Sequence, residues 1–248
     1  MEDVTNQHGL RFQVRRANLK FETYYTRQRI CETDAEIRTA LDVMRTNLPA
    51  AFRLNTSRPG VARRLRKILK SGKLWRADPE TAAKASPVDP SETIWRLDHD
   101  RFRIGRRLES PENNDLHDFL FYERQLGNLL RQELVSQVPV LMLDIKESDK
   151  ILDMCSSPGS KTCQVIELMH KDAAGRIPTG AIVANEYNAG RCHKLASGVR
   201  IHGSPCLILV NHDGRAMPEI YETDDDGKRK TVRWVPWNLS RRLSRVFF

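Results

Sequence analysis

The residues able to do chemistry cluster between Asp153 and Asp213. Asp153 sits in a short apolar run, residues 151–155 (ILDMC), which Ser156, Ser157, Pro158 and Gly159 break. Ser160 stands where it can cap a helix running through Lys161, Val165, Ile166, Leu168 and Met169. A strand, a tight turn and a helix start present backbone N–H groups and a positive helix end to a ligand. An ordinary βα turn without a ligand has the same appearance, so the residues downstream must decide. Residues 180–186 (GAIVANE) form a second apolar run ending in an acid, Glu186, about where a nucleotide site places the carboxylate that takes ribose hydroxyls. Residues 206–213 (CLILVNHD) form a third, ending in Asp213. The sequence has no GxGxxG and no GxxxxGK[ST], so a dinucleotide or P-loop site has little support; strand-end acids around a Gly turn suit an adenosine-containing cofactor better than a diphosphate.

The elements that must position these residues follow from the alternation. Three apolar runs separated by helical stretches read as half of a doubly wound parallel sheet, so the fold class is α/β, of the Rossmann type. Upstream, residues 17–46 read as two helices broken near Glu32 and Asp34, and residues 49–55 as a short strand. Residues 60–76 read as a basic amphipathic helix, with Val61, Leu65, Ile68 and Leu69 on one side and Arg63, Arg64, Arg66, Lys67 and Lys70 around it. Such a helix lies along a phosphate backbone or is a solvated face; Trp75 beside it could stack on a base or simply pack. Residues 77–115 are polar and proline-rich, with an extended piece around residues 93–97. Residues 115–143 read as mostly helical, interrupted at Gly127 and ended or kinked at Pro139. Residues 219–232 read as a hairpin turning at Asp225, Asp226 and Gly227.

The 248 residues carry a net charge of +9, a signal for a polyanionic partner such as nucleic acid. Five scattered cysteines with no CxxC pair predict neither a disulfide framework nor a zinc site, and fit a reducing compartment. Residues 1–16 are polar and read as a loose start without a signal core. No apolar run approaches ~20 residues, so no membrane-spanning helix is expected.

The motifs DMCSSPGSKTCQVIE, VANEYNAGRCHKL and LVNHDGRAMP, in that order and spacing, resemble the cofactor-binding motifs of the Nop/Sun (RsmB-type) RNA cytosine-5 methyltransferases, and most closely the eukaryotic tRNA-type members. Leu48 to Asn55, and Gly127, Gln132, Glu133 and Ser136, also match family patterns. The resemblance implies S-adenosylmethionine as cofactor. It implies a cofactor loop from Cys155 through Ser156, Ser157, Pro158, Gly159 and Ser160 to Lys161, with Glu186 on the ribose and Asp213 beside the adenine. The family usually has Ala-Ala at Ser156 and Ser157, and Asp at Glu186. It further implies an RNA substrate, tRNA first, and a nuclear location.

In the family, a cysteine thiolate adds to carbon 6 of cytosine, so that carbon 5 can take the methyl group. The segments that carry the family's two working cysteines would lie beyond Trp234, where this sequence departs from the pattern. The chain therefore reads as truncated before those motifs, with an altered end, and no catalytic residue is assigned. Cys163 and Cys206 read as small core residues. The first strand would then have an unpaired apolar edge, which Trp234, Val235, Trp237, Leu239, Val246, Phe247 and Phe248 could cover. The expected organisation is a mainly helical, RNA-contacting region over residues 1–110 and a C-terminally incomplete methyltransferase domain over 111–248. The alternatives are a non-catalytic RNA- or cofactor-binding fragment, or a fragment that does not fold.

Overall fold

The computed structural model describes residues 2–5, 11–14, 17–72, 74, 84–100, 114–224, 226–232, 234–236 and 244–247. Trp75, Asp225, Trp237, Leu239 and Phe248 lie outside them. The chain forms two compact units that divide between Leu48 and Pro49.

The first unit opens with an antiparallel hairpin, β1 (Glu2–Thr5) and β2 (Arg11–Val14), where the sequence suggests a loose start. Two capped helices follow. In α1 (Leu19–Arg27) the Asn18 side chain accepts from the Phe21 N–H, and α2 (Asp34–Met44) begins with a reciprocal Thr33/Glu36 box. Arg45 reaches back to Glu22 at 2.8 Å and ties the two helices together.

Among the described residues, the second unit contains two larger sheets and one two-stranded hairpin. The first is antiparallel, in the order β4-β5-β3-β6, from β3 (Pro49–Leu54), β4 (Ala85–Pro87), β5 (Ile94–Asp100) and β6 (Leu129–Arg131). Helices α3 (Pro59–Lys70) and α4 (Asn114–Gln125) contribute Leu65, Leu69, Leu116 and Leu120 to a core with Phe52, Leu54, Trp95, Leu97 and Leu129. Pro59 opens α3, at the position where its missing N–H costs nothing. Ala62, Leu65 and Leu69 face the core, which leaves Arg63, Arg64, Lys67 and Lys70 in solvent, and the helix ends at Lys70 rather than near residue 76.

One sequence expectation changes here. Residues 115–143 are not one interrupted helix, because Leu129–Arg131 is a strand pairing with β3 (Leu54 opposite Leu129) after Gly127, at φ +70°, ends the helical turn. Among its described residues, the region before residue 110 holds paired strands, β3 with β5 among them, as well as helices.

The second sheet is parallel throughout, in the order β12-β13-β7-β8-β9. Its members are β7 (Lys150–Asp153), β8 (Ala181–Asn185), β9 (Leu207–Val210), β12 (Trp234–Pro236) and β13 (Ser244–Phe247). Helix α5 (Leu134–Leu141) precedes β7; α6 (Ser160–Asp172) and α7 (Ala189–Val199) connect β7 to β8 and β8 to β9. Val140, Ile151, Val165, Ile166, Met169 and Ile182 form one core layer, and Cys163, Ala184, Leu195 and Val199 another. Between β9 and β12, β10 (Tyr221–Thr223) and β11 (Arg229–Thr231) pair as the expected hairpin. The edge of β7 is covered: Val246 pairs with Leu152 and Phe247 with Asp153. The chain thus builds outward from β7 to β8 and β9 and returns to its other side. That makes the C-terminal end of β7 a topological switch point, the place where open α/β sheets bind ligands.

Candidate functional site

Asp153 closes β7 at this switch point and is almost fully buried. The Thr162 hydroxyl donates to its Oδ2 at 2.7 Å, from the first turn of α6. Burial pushes its carboxyl up to about 6, against the pull of the hydroxyl bonds and of Lys161. The loop from Met154 to Gly159 is fixed by its own serines. The Ser156 hydroxyl donates to the Asp153 carbonyl at 2.9 Å, and the Ser157 hydroxyl to the Arg191 carbonyl at 3.0 Å. Gly159, not Ser160, is the cap of α6. It holds φ +103°, and a Cβ there would lie 3.0 Å from Val199 and 3.1 Å from Leu195. With no capping side chain, the first N–H groups of α6 stay available to a ligand.

Ser136, Asp153, Cys155, Ser156, Ser157, Pro158, Ser160 and Lys161 line a cavity of about 110 Å³. This is smaller than the ~300 Å³ at which ligand pockets begin, so it has room for only part of a nucleoside-sized ligand. A larger cavity, about 590 Å³, runs along α1 between Leu19 and Gln28. No acid, thiol or strand end lines it, and the smaller cavity is where the chemistry converges.

Glu186 follows β8 and is buried; its Oε1 accepts from the Asn188 N–H at 3.0 Å, and Arg191 lies 3.4 Å from its Oε2. Asp213 follows β9, where Arg215 grips both its oxygens and holds the carboxyl down at about 2. The sequence candidates Cys155 to Lys161 are therefore together at one cavity, save that Gly159 acts as the helix cap behind it. Glu186 connects to the loop through Arg191, while the Asp213 carboxylate is spent on Arg215.

Two residues not singled out for the site contribute to it. Ser136, in the first turn of α5, lines the cavity, and its hydroxyl accepts from Gln132 at 3.2 Å. Asn185 staples three strand ends: its Nδ2 donates to the carbonyls of Met154 (3.1 Å) and His212 (3.0 Å), and its Oδ1 accepts from the His212 N–H (2.9 Å). Its signal in the sequence is a polar residue closing an apolar run, directly before the acid. Among the thiols, Cys163 is buried and pushed up to about 12, and Cys206 is buried against the Pro178 carbonyl. Both are core residues, as expected, and only Cys155 is exposed at the loop.

The family model of the 16S rRNA methyltransferases RsmB/F matches residues 140–226. A tRNA (cytosine(34)-C(5))-methyltransferase of Drosophila melanogaster is 34% identical over 264 residues, covering 92% of this chain and 35% of that protein. A multisite-specific tRNA:(cytosine-C(5))-methyltransferase of Saccharomyces cerevisiae is 33% identical, covering 82% of this chain and 30% of its own length. The chain spans about a third of the length of these curated relatives. Among solved structures, a methyltransferase homolog from Pyrococcus horikoshii superposes with a TM-score of 0.51 at 23% identity, over 72% of this chain and 48% of that one, which is a likeness of fold.

Proposed function

Because this chain belongs to the RsmB/F-type family of RNA cytosine-C5 methyltransferases, we propose that the β7 switch point binds S-adenosylmethionine for methyl transfer to cytosine in RNA, tRNA in the first place. The observation that carries this reading is the convergence of the 155–161 loop, the start of α6 and the buried strand-end acid Asp153 on one cavity, with the buried acid Glu186 tied to that loop through Arg191. The donor set suits the group. Glu186 offers a carboxylate to a ribose diol, the α6 amides and Lys161 suit a carboxylate, and Asp153 suits a cation. Bound there, S-adenosylmethionine supplies an electrophilic methyl group. The chain's own residues bind and orient: Gly159 lets the loop lie close on Leu195 and Val199, and Asn185 holds the three strand ends around the site.

Addition to cytosine carbon 6 needs a thiolate, and Cys163, buried and pushed up to about 12, cannot supply one near neutral pH. We therefore assign these residues the cofactor-binding part of the activity and name none of them as nucleophile. The buried thiols equally favour a second reading, an RNA- or cofactor-binding role without turnover. RNA contact is supported by the charge of +9 and by the exposed Arg63 and Lys67 of α3. The eukaryotic-type likeness supports a nuclear location.

Calorimetric titration with S-adenosylhomocysteine tests the proposal. One-to-one binding that is lost in Glu186→Ala is the expected result; a folded chain that shows no heat would overturn it.

A further inference from the structure

Arg191 lies in the first turn of α7, and its side chain is 56% exposed, yet its guanidinium is engaged beside the 155–161 loop. Nη2 donates to the Ser157 carbonyl at 2.9 Å, while the Ser157 hydroxyl donates back to the Arg191 carbonyl at 3.0 Å. The same Nη2 stands 3.4 Å from Oε2 of Glu186, whose side chain is only 6% exposed. The Arg191 N–H is in turn fixed by the Asn188 side chain at 3.0 Å, and the Asn188 N–H binds the other Glu186 oxygen. A closed ring results: the loop at Ser157, the first turn of α7 at Arg191, and the strand-end acid Glu186. The Arg191–Glu186 contact is an ion pair rather than a hydrogen bond, so without Arg191 the carboxylate would keep its hydrogen bond from the Asn188 N–H but lose the positive charge beside Oε2.

We propose that Arg191 is a positioning residue of the nucleoside site: doubly tied to Ser157, it holds the Glu186 carboxylate in register with the 155–161 loop. The proposal rests on the cofactor reading above and adds to it a residue that would touch no reacting atom. Ser157 gains a role with it. The hydroxyl that donates to the Arg191 carbonyl is one that an alanine at this position would lack, whereas the Nη2 bond to the residue 157 carbonyl would remain.

The test is titration of S-adenosylhomocysteine into the full chain and its variants, with thermal melting of each. Arg191→Ala should bind roughly tenfold more weakly, the scale of one charge-assisted contact, beyond what any lowering of its melting temperature explains. Arg191→Lys should recover part of the loss, because one ammonium can satisfy one of the two acceptors. In a Glu186→Gln background the same Arg191→Ala change should cost about threefold at most, because the charge it positions is gone. Parent-like binding by Arg191→Ala, or losses that simply add in the double variant, would overturn the proposal. If the parent itself binds no S-adenosylhomocysteine, or binds it independently of Glu186, the cofactor reading fails and the positioning role falls with it.

Discussion

The Arg53 guanidinium and the Glu167 carboxylate lie 2.8 Å apart with each side chain about 3% exposed, and they join a strand of the antiparallel sheet to a helix of the parallel one. The pair is bidentate, with Nε on Oε2 and Nη2 on Oε1 at 3.1 Å, and Arg53 also bonds Gln132 and the Ser160 carbonyl. Gln132 continues to Ser136 and Gln164, so the network runs from β3 to the wall of the cavity at the 155–161 loop.

The first prediction follows from that burial. Arg53→Ala leaves the Glu167 carboxylate in the interior without its bidentate partner, with His202 still 3.7 Å away, which costs about 3–5 kcal/mol, whereas an apolar replacement of both partners costs far less. Urea unfolding of Arg53→Ala, Glu167→Gln and the double variant Arg53→Met/Glu167→Leu checks this. A fall as large in the double variant as in Arg53→Ala would show that packing, not charge, sets the effect.

The second concerns Asp153. Its carboxyl ionises at about 6 in the folded chain, against 3.8 as its ordinary value. Between those values the native state holds the extra proton, so stability falls as pH rises from 3.8 to about 6, and above that the cost is fully present. Asp153→Asn can still accept from Thr162 and removes that cost. Its stability relative to the parent should therefore rise by about 1–3 kcal/mol between pH 4 and pH 7. The comparison with the parent matters because buried His202, held below its ordinary value by burial, works in the opposite sense, losing stability as pH falls below 6.5. Urea midpoints across this range, with a flat difference between the two proteins, would contradict the buried-acid account.

The third concerns Gly159. Its φ of +103° disfavours any L side chain, and a methyl group there would meet Val199 and Leu195. Gly159→Ala should cost about 1–3 kcal/mol through strain and shift the loop against α7. Weaker S-adenosylhomocysteine binding than the stability loss alone explains is the expected signature; unchanged binding would place Gly159 outside the site's geometry.

Much of this was legible in the sequence because the parallel sheet is written locally. Each of its first three strands is a short apolar run ending in a polar residue, and the turn after Asp153 carries the Pro-Gly pair that only a sharp reversal needs. What the sequence hid depends on distant pairing. Leu129, Leu130 and Arg131 carry no period of their own and become a strand only because β3 offers an edge. That Val246 and Phe247 cover the β7 edge is an expectation of the sequence; that residues 244–247 do so as a parallel strand depends on that edge. Nothing local in the sequence reveals that Ser157 lies beside Arg191.

The last prediction uses the thiols as reporters of the site. Cys155 is exposed on the loop, Cys31 and Cys192 are partly covered, and Cys163 and Cys206 are buried. Modification by a thiol reagent requires the thiolate and access together. With its thiol pushed up to about 12, Cys163 is about one part in ten thousand ionised at pH 8, and it is also shielded. Cys155 should therefore label first in the folded chain, and Cys163 only on unfolding. Because Cys155 lines the same cavity as Asp153 and Lys161, S-adenosylhomocysteine should slow its labelling while leaving Cys31 unaffected. Peptide mapping after timed labelling reads both outcomes. Protection spread evenly over all five cysteines would report general tightening of the fold rather than occupancy of the loop.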